Sequence, residues 1–202
     1  MHIDTFLIVG LGNPGREYRL NRHNVGFLLI DRMADELEAD RARVQAGSLV
    51  SSTRFEGRKL ILAKPQTYMN RSGQSVQGLL AFYKLPLERL LVAHDDLDIP
   101  FGALRMRPGG GPGGQKGMAS AIDYLGTRDF PRLRIGIGRP PGKMDPAAYV
   151  LQDFPAAEQE ALRDVLDRAM EAIFTLVREG IEKAMSRFNQ GIGKDDPTAA
   201  GR

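Results

Sequence analysis

The chain has 202 residues, 42% of them hydrophobic, and a net charge of +3 from 28 basic and 25 acidic side chains. That fits one large domain, or less readily two small ones, and supports a sizeable core rather than a disordered chain. No apolar run approaches the ~18 residues of a membrane span, the Met1-His2-Ile3-Asp4 start lacks the features of a secretion signal, and the absence of cysteine excludes disulfides and thiolate chemistry and suits a reducing cytoplasm.

Phe6-Leu7-Ile8-Val9 reads as a strand buried on both faces, and Gly10-Leu11-Gly12-Asn13-Pro14-Gly15 as the turn leaving its C-terminal end. In open α/β sheets ligands bind at that end of a strand. Arg22-His23-Asn24 follows. His23 is one of three histidines, His2 sits at the terminus, and His23 is the best candidate for a general base near neutral pH. Val25 to Ala39 has the apolar spacing of a helix, with Phe27, Ile30, Ala34 and Leu37 on one face. Ser48–Phe55 and Lys59–Ala63 look like strands joined by a hairpin near Glu56-Gly57. Pro65 to Asn70 is a loop before a helix that Ser72 caps and that runs to about Tyr83.

Leu90–Ala93 is a second buried strand with a polar end, His94-Asp95-Asp96-Leu97-Asp98. Ala103–Arg107 and Leu133–Ile137 are further strands, separated by a glycine loop and a short helix. Ala156 to Phe188 is a long amphipathic helix or helix pair, with Gly180 as a possible break. From Gly191 onward the composition implies a frayed tail, which leaves residues 1–190 as one domain and 191–202 as a disordered extension. Alternating strands and helices imply a single α/β domain with a twisted, mostly parallel or mixed sheet flanked by helices. Charge is uneven: Ala103 to Lys143 holds eight bases against two acids, Asp145 to Phe188 nine acids against five bases. Either one side meets a polyanion, or both are ordinary solvated faces.

Each motif carries a rival reading. Gly10 to Gly15 matches the spacing of a dinucleotide loop, but Pro14 removes a backbone donor and no crossover helix follows directly. The glycines more simply turn the chain and present Asn13 to a cleft. Gly109 to Gly117 is no P-loop, since Gln115 separates the glycine from Lys116 and Gly117 stands where Ser or Thr would hold magnesium. It is either a flexible loop or a glycine nest that offers N–H groups to an anion beside Arg105, Arg107 and Arg134. His94 to Asp98 is a metal site, a source of the aspartate that orients His23, or a pair of turn-capping carboxylates. Strand alternation opposes a single cation there. With no cysteine and no G-x-S-x-G elbow, the attacking group in a hydrolase would be water, and Asn13, Asn24 and Asn70 suit holding it and a substrate carbonyl.

Taken in order from about Phe6 to Phe188, Gly10–Gly15, Arg22–Asn24, Pro65–Asn70, His94–Asp98, the glycine loop and Arg132-Leu133-Arg134-Ile135-Gly136-Ile137-Gly138 resemble the bacterial peptidyl-tRNA hydrolases. The resemblance implies a monomeric, cytoplasmic, metal-independent α/β enzyme without cofactor. It would cleave the ester between a peptide and the 3′ ribose of tRNA and so recycle tRNA from stalled or aborted translation. His23 would be the general base and Asp95 the residue that keeps it oriented and basic. Asn13 would sense the acylated amino group. Tyr18, Tyr68 and Asn70 would line the site for the 3′ end and the peptide, with Met69 as an apolar wall. Arg107 and Arg134 would grip the 5′ phosphate beside the acceptor stem. Such contacts make affinity salt-dependent and largely blind to sequence.

One motif departs from the pattern. Many members read Gly-Gly-His-Asn-Gly where this chain has Gly113-Gly114-Gln115-Lys116-Gly117. Lys116 cannot accept a hydrogen bond, so the expectation is that Lys116 meets a phosphate or the substrate carbonyl, or that Gln115 supplies the amide. Two rivals remain on the sequence: an RNA-binding relative without efficient chemistry, and a metal phosphohydrolase built on His94–Asp98.

Overall fold

A computed structural model describes residues 4–190, so the expected tail from Gly191 lies outside the described residues. Among them, seven strands form one mixed sheet in the order β2-β3-β4-β1-β5-β7-β6. Strands β1 (Thr5–Gly10), β4 (Arg58–Pro65), β5 (Leu90–Asp96) and β7 (Arg132–Gly136) are parallel, with β1 between β4 and β5. The remaining three, β2 (Arg43–Gln45), β3 (Ser48–Phe55) and β6 (Leu104–Arg107), pair antiparallel at the two sides.

The central strands are apolar throughout because both faces of the sheet are covered. Phe6 and Ile8 enter one core with Leu91, Leu133 and Ile135, while Leu7 and Val9 enter the other with Val92. Helices α1 (Val25–Glu36), α5 (Ala156–Glu179) and α6 (Ile181–Phe188) cover the first face. Helices α2 (Ser72–Tyr83) and α3 (Lys116–Leu125) cover the second. Full burial of such a side chain contributes roughly 1.5–3 kcal/mol, so the two interleaved cores fix strand register and both helix layers.

The chain leaves β1 toward β4 on one side and leaves β5 toward β7 on the other. The C-terminal ends of β1 and β5 therefore flank a topological switch point, where open α/β sheets form their crevice. Gly10 and Gly26 let α1 start against the end of β1: a Cβ on Gly10 would collide with the Gly26 carbonyl, and one on Gly26 with backbone atoms of Leu11 and Ala93. No helix follows the first glycine turn directly. Short 3-10 turns at Arg16–Tyr18 and Arg22–Asn24 come first, which removes the crossover a dinucleotide fold requires.

The hairpin forms at Glu56-Gly57, where φ values of 47° and 79° give the left-handed pair a two-residue turn needs. Gly180, at φ 90°, separates α5 from α6. Ser72 differs from expectation. Arg71 occupies the cap position, Ser72 is the first helical residue, and its hydroxyl donates to the Met69 carbonyl at 2.9 Å. Helix α1 stops at Glu36 rather than Ala39, because Glu38 turns to φ 46°. Two short elements were not expected from the sequence, β2 and helix α4 (Pro146–Val150).

Candidate active site

His23 lies in the 3-10 turn that follows β1, and Asp95 near the C-terminal end of β5. The fold brings these two, 72 residues apart, to 2.8 Å between Nδ1 of His23 and Oδ2 of Asp95. The histidine side chain is 12% exposed and the carboxylate 4%. With Nδ1–H donating to the carboxylate, Nε2 is left as the acceptor. The histidine segment is also anchored from behind. Arg22 pairs with Glu158 at 2.9 Å, donates to the Asp153 carbonyl and packs over the rings of Tyr149 and Phe154.

A cavity of about 590 Å³ opens over this pair, and its wall includes Asn13, His23, Tyr68, Met69, Asn70, Asp95, Gln115 and Lys116. Helix α4 closes one side through Pro146, Ala147 and Val150. The only local sequence signal for this wall is Pro146 at the first position of α4. Tyr68 is 62% exposed, so its ring is open to a ligand. Met69 is buried, as an apolar wall requires, while Asn70 is exposed.

Asn13 and Asn24 divide their roles. Asn24 Oδ1 accepts the Asn13 backbone N–H at 2.8 Å, and Asn24 Nδ2 donates to the Asn13 carbonyl at 2.9 Å. Asn24 is buried with both amide ends engaged, and it does not line the cavity itself but holds Asn13, which does. Asn13 Oδ1 accepts the Met69 N–H at 2.8 Å. That bond orients the amide and leaves Nδ2 as the donor available to a ligand. Tyr18 is not part of the cavity wall either; it sits half-buried in the turn Arg16–Tyr18.

The glycine loop leads into α3, with left-handed Gly113 and Gly114 at φ 58° and 78°. Arg132 holds the loop from below. It is 2% exposed and donates to the carbonyls of Gly110 at 2.6 Å, Gly111 at 3.1 Å and Arg128 at 2.7 Å. Burial pushes its pKa down to about 10, so it remains charged at neutral pH. Lys116, the first residue of α3, is exposed at the cavity wall. Gln115 lines the cavity too, and both ends of its amide have protein partners. Its Nε2 donates to Asp95 Oδ1 at 3.1 Å, and its Oε1 accepts the Met118 N–H at 2.7 Å.

The polar end of β5 is divided among separate partners. Asp95 faces His23, Asp96 Oδ2 accepts from Arg134 Nε at 2.6 Å, and Asp98 pairs with Arg139. Nδ1 of buried His94 lies 2.7 Å from the Asp95 carbonyl. Burial holds the His94 imidazole below its ordinary pKa, against the opposing pull of Asp95 and Asp96. Among the described residues no group of three or more His, Asp or Glu side chains converges as a metal site. No described helix is long and apolar enough to cross a membrane.

Arg107 and Arg134 lie on neighbouring antiparallel strands, where Arg107 is opposite Arg132 and Arg105 is opposite Arg134. Directly opposed residues share a face, so Arg107 and Arg134 are diagonal neighbours on one face of the sheet edge, roughly 7–8 Å apart. Arg107 is exposed, and Arg134 is partly so.

The family model described as peptidyl-tRNA hydrolase matches residues 7–197. The chain is 51% identical over 185 residues to the chloroplastic peptidyl-tRNA hydrolase of Arabidopsis thaliana, covering 91% of this chain and 64% of that protein. It is 49% identical to the peptidyl-tRNA hydrolase of Chloroflexus aurantiacus, over 91% of this chain and 98% of the relative. The crystal structure of peptidyl-tRNA hydrolase from Acinetobacter baumannii superposes with a TM-score of 0.85 at 38% identity, covering 94% of this chain and 97% of that one. The chain thus belongs to the peptidyl-tRNA hydrolase family.

Proposed function

We propose that this chain hydrolyses the ester between the peptide and the 3′ ribose of peptidyl-tRNA, using water activated by His23. The 2.8 Å contact between His23 and Asp95 at the cavity wall carries this reading. His23 Nε2 takes a proton from water as its oxygen bonds to the ester carbonyl carbon. Asp95 stabilises the imidazolium formed in that step. As the C–O bond to ribose breaks, the imidazolium returns the proton to the ribose oxygen, giving free tRNA and a peptide carboxylic acid. No covalent intermediate is involved.

Met69 engages the Asn13 amide oxygen, which leaves Nδ2 as the end that can donate to a ligand. A donor in that position favours the carbonyl of an acylated amino group over a free ammonium, which has nothing to accept with. Tyr68 and Asn70 line the entrance for the 3′ end. Lys116 offers a cation to the substrate carbonyl or a phosphate. Arg107 and Arg134 provide the grip on the 5′ phosphate, and the absence of cysteine suits a reducing cytoplasm.

The experiment is a comparison of N-acetyl-aminoacyl-tRNA with free aminoacyl-tRNA as substrates of the purified protein. Cleavage of the blocked form in clear preference is the expected result. Binding of both with hydrolysis of neither would instead support an RNA-binding role.

A further inference from the structure

We infer that Gln115 is a positioning residue for the reaction, an amide clamp that holds Asp95 in the orientation that engages His23. This rests on the reading of His23 as the base. The two oxygens of Asp95 have different partners: Oδ2 faces His23 Nδ1 at 2.8 Å, and Oδ1 accepts from Gln115 Nε2 at 3.1 Å. A carboxylate held at both oxygens cannot rotate about its Cβ–Cγ bond without breaking one contact.

The direction of the glutamine amide is itself set. Its Oε1 accepts the Met118 backbone N–H at 2.7 Å, a contact only the oxygen end can make. The NH2 end must then face Asp95, and it also lies 3.2 Å from Met69 Sδ, a weak acceptor. Gln115 is 7% exposed, so water competes little for these bonds. One side chain thus ties the start of α3, the apolar wall at Met69 and the carboxylate behind the base. The residue type fits the task. Lysine has no acceptor for Met118, asparagine is one methylene shorter, and glutamate would place an oxygen against Asp95 Oδ1.

Gln115→Glu is the informative variant, since it keeps the shape and the acceptor for Met118. Two carboxyl groups about 3 Å apart hold a shared proton and separate when it is lost. The expected result is a changed pH profile: kcat falls at least roughly tenfold below wild type on the alkaline side, because the carboxylate behind the base is displaced. Affinity for uncleaved tRNA stays within about twofold, since no tRNA contact is altered. Gln115→Ala provides a second measure, with kcat roughly 10- to 100-fold lower at an unchanged KM.

A Gln115→Glu enzyme with the wild-type pH profile, or a Gln115→Ala enzyme that loses thermal stability but not kcat, overturns the inference. His23→Ala is assayed beside them. Its near-wild-type hydrolysis would remove the histidine mechanism itself, whereas an inactive His23→Ala enzyme with indifferent Gln115 variants removes only the clamp.

Discussion

Asn24 engages both backbone polar groups of Asn13, its Oδ1 accepting from the N–H at 2.8 Å and its Nδ2 donating to the carbonyl at 2.9 Å. This pairing fixes the glycine turn after β1 against the histidine segment. Asn24→Ala leaves two buried backbone groups without partners, and should lower unfolding stability by about 2 kcal/mol. A denaturant titration measures this. A change in midpoint smaller than that of an exposed control substitution, such as Gln74→Ala, would show that the pair contributes little.

Asn13 should govern the choice between blocked and free amino groups. In Asn13→Ala the preference for N-acetyl-aminoacyl-tRNA, read as a ratio of kcat/KM values, is expected to fall by roughly tenfold or more. Asn13→Asp exchanges the free donor for an acceptor and should reduce the preference further. An unchanged ratio in both variants would assign discrimination to another residue.

Arg134 Nε donates to Asp96 Oδ2 at 2.6 Å, and the strand register puts Arg134 on the sheet-edge face it shares with Arg107. Arg134→Ala should weaken tRNA binding at every sequence and make the slope of log affinity against log salt shallower by about 1. Hydrolysis of a minimal substrate without the 5′ phosphate should stay near wild type. A salt slope equal to that of the parent contradicts the phosphate role.

His94 gives the fold a pH dependence of definite sign. In the folded protein it resists protonation because it is buried, so the unfolded chain binds more protons once pH drops below the ordinary histidine value near 6.5. Stability should therefore decline as pH falls through that region and show no slope from His94 above it. Denaturant midpoints taken between about pH 8 and about pH 5 test this, with His94→Gln as the non-titrating control. The control should lose part of the acid slope; an equal slope in both proteins rules His94 out as its source.

The sequence was most legible where one physical rule dominated. Phe6–Val9 and Leu90–Ala93 could be read as strands because both faces are buried, and Glu56-Gly57 as a hairpin because the turn demands positive φ. The short strand β2 gave no such sign, since Val44 is 75% exposed and only backbone pairing makes it a strand. Ser72 had the residue type of a cap, yet the 3-10 turn Met69–Arg71 shifted the helix start onto it. In the site, His23 and Asp95 stood out by chemistry and family resemblance. The division of labour between Asn13 and Asn24, and the attachment of Gln115 to Asp95, depend on contacts across 11 and 20 residues that no local pattern encodes.

In the proposed reaction everything turns on His23 activating the attacking water. The direct measurement is the rate of peptide release from N-acetyl-aminoacyl-tRNA under single-turnover conditions with EDTA present, for the wild-type protein and for His23→Ala. Cleavage by the wild type is expected, with a rate lower by at least about 10²-fold in the variant and tRNA affinity nearly unchanged. Comparable rates from the two proteins, or loss of wild-type cleavage in EDTA, would contradict that role of His23.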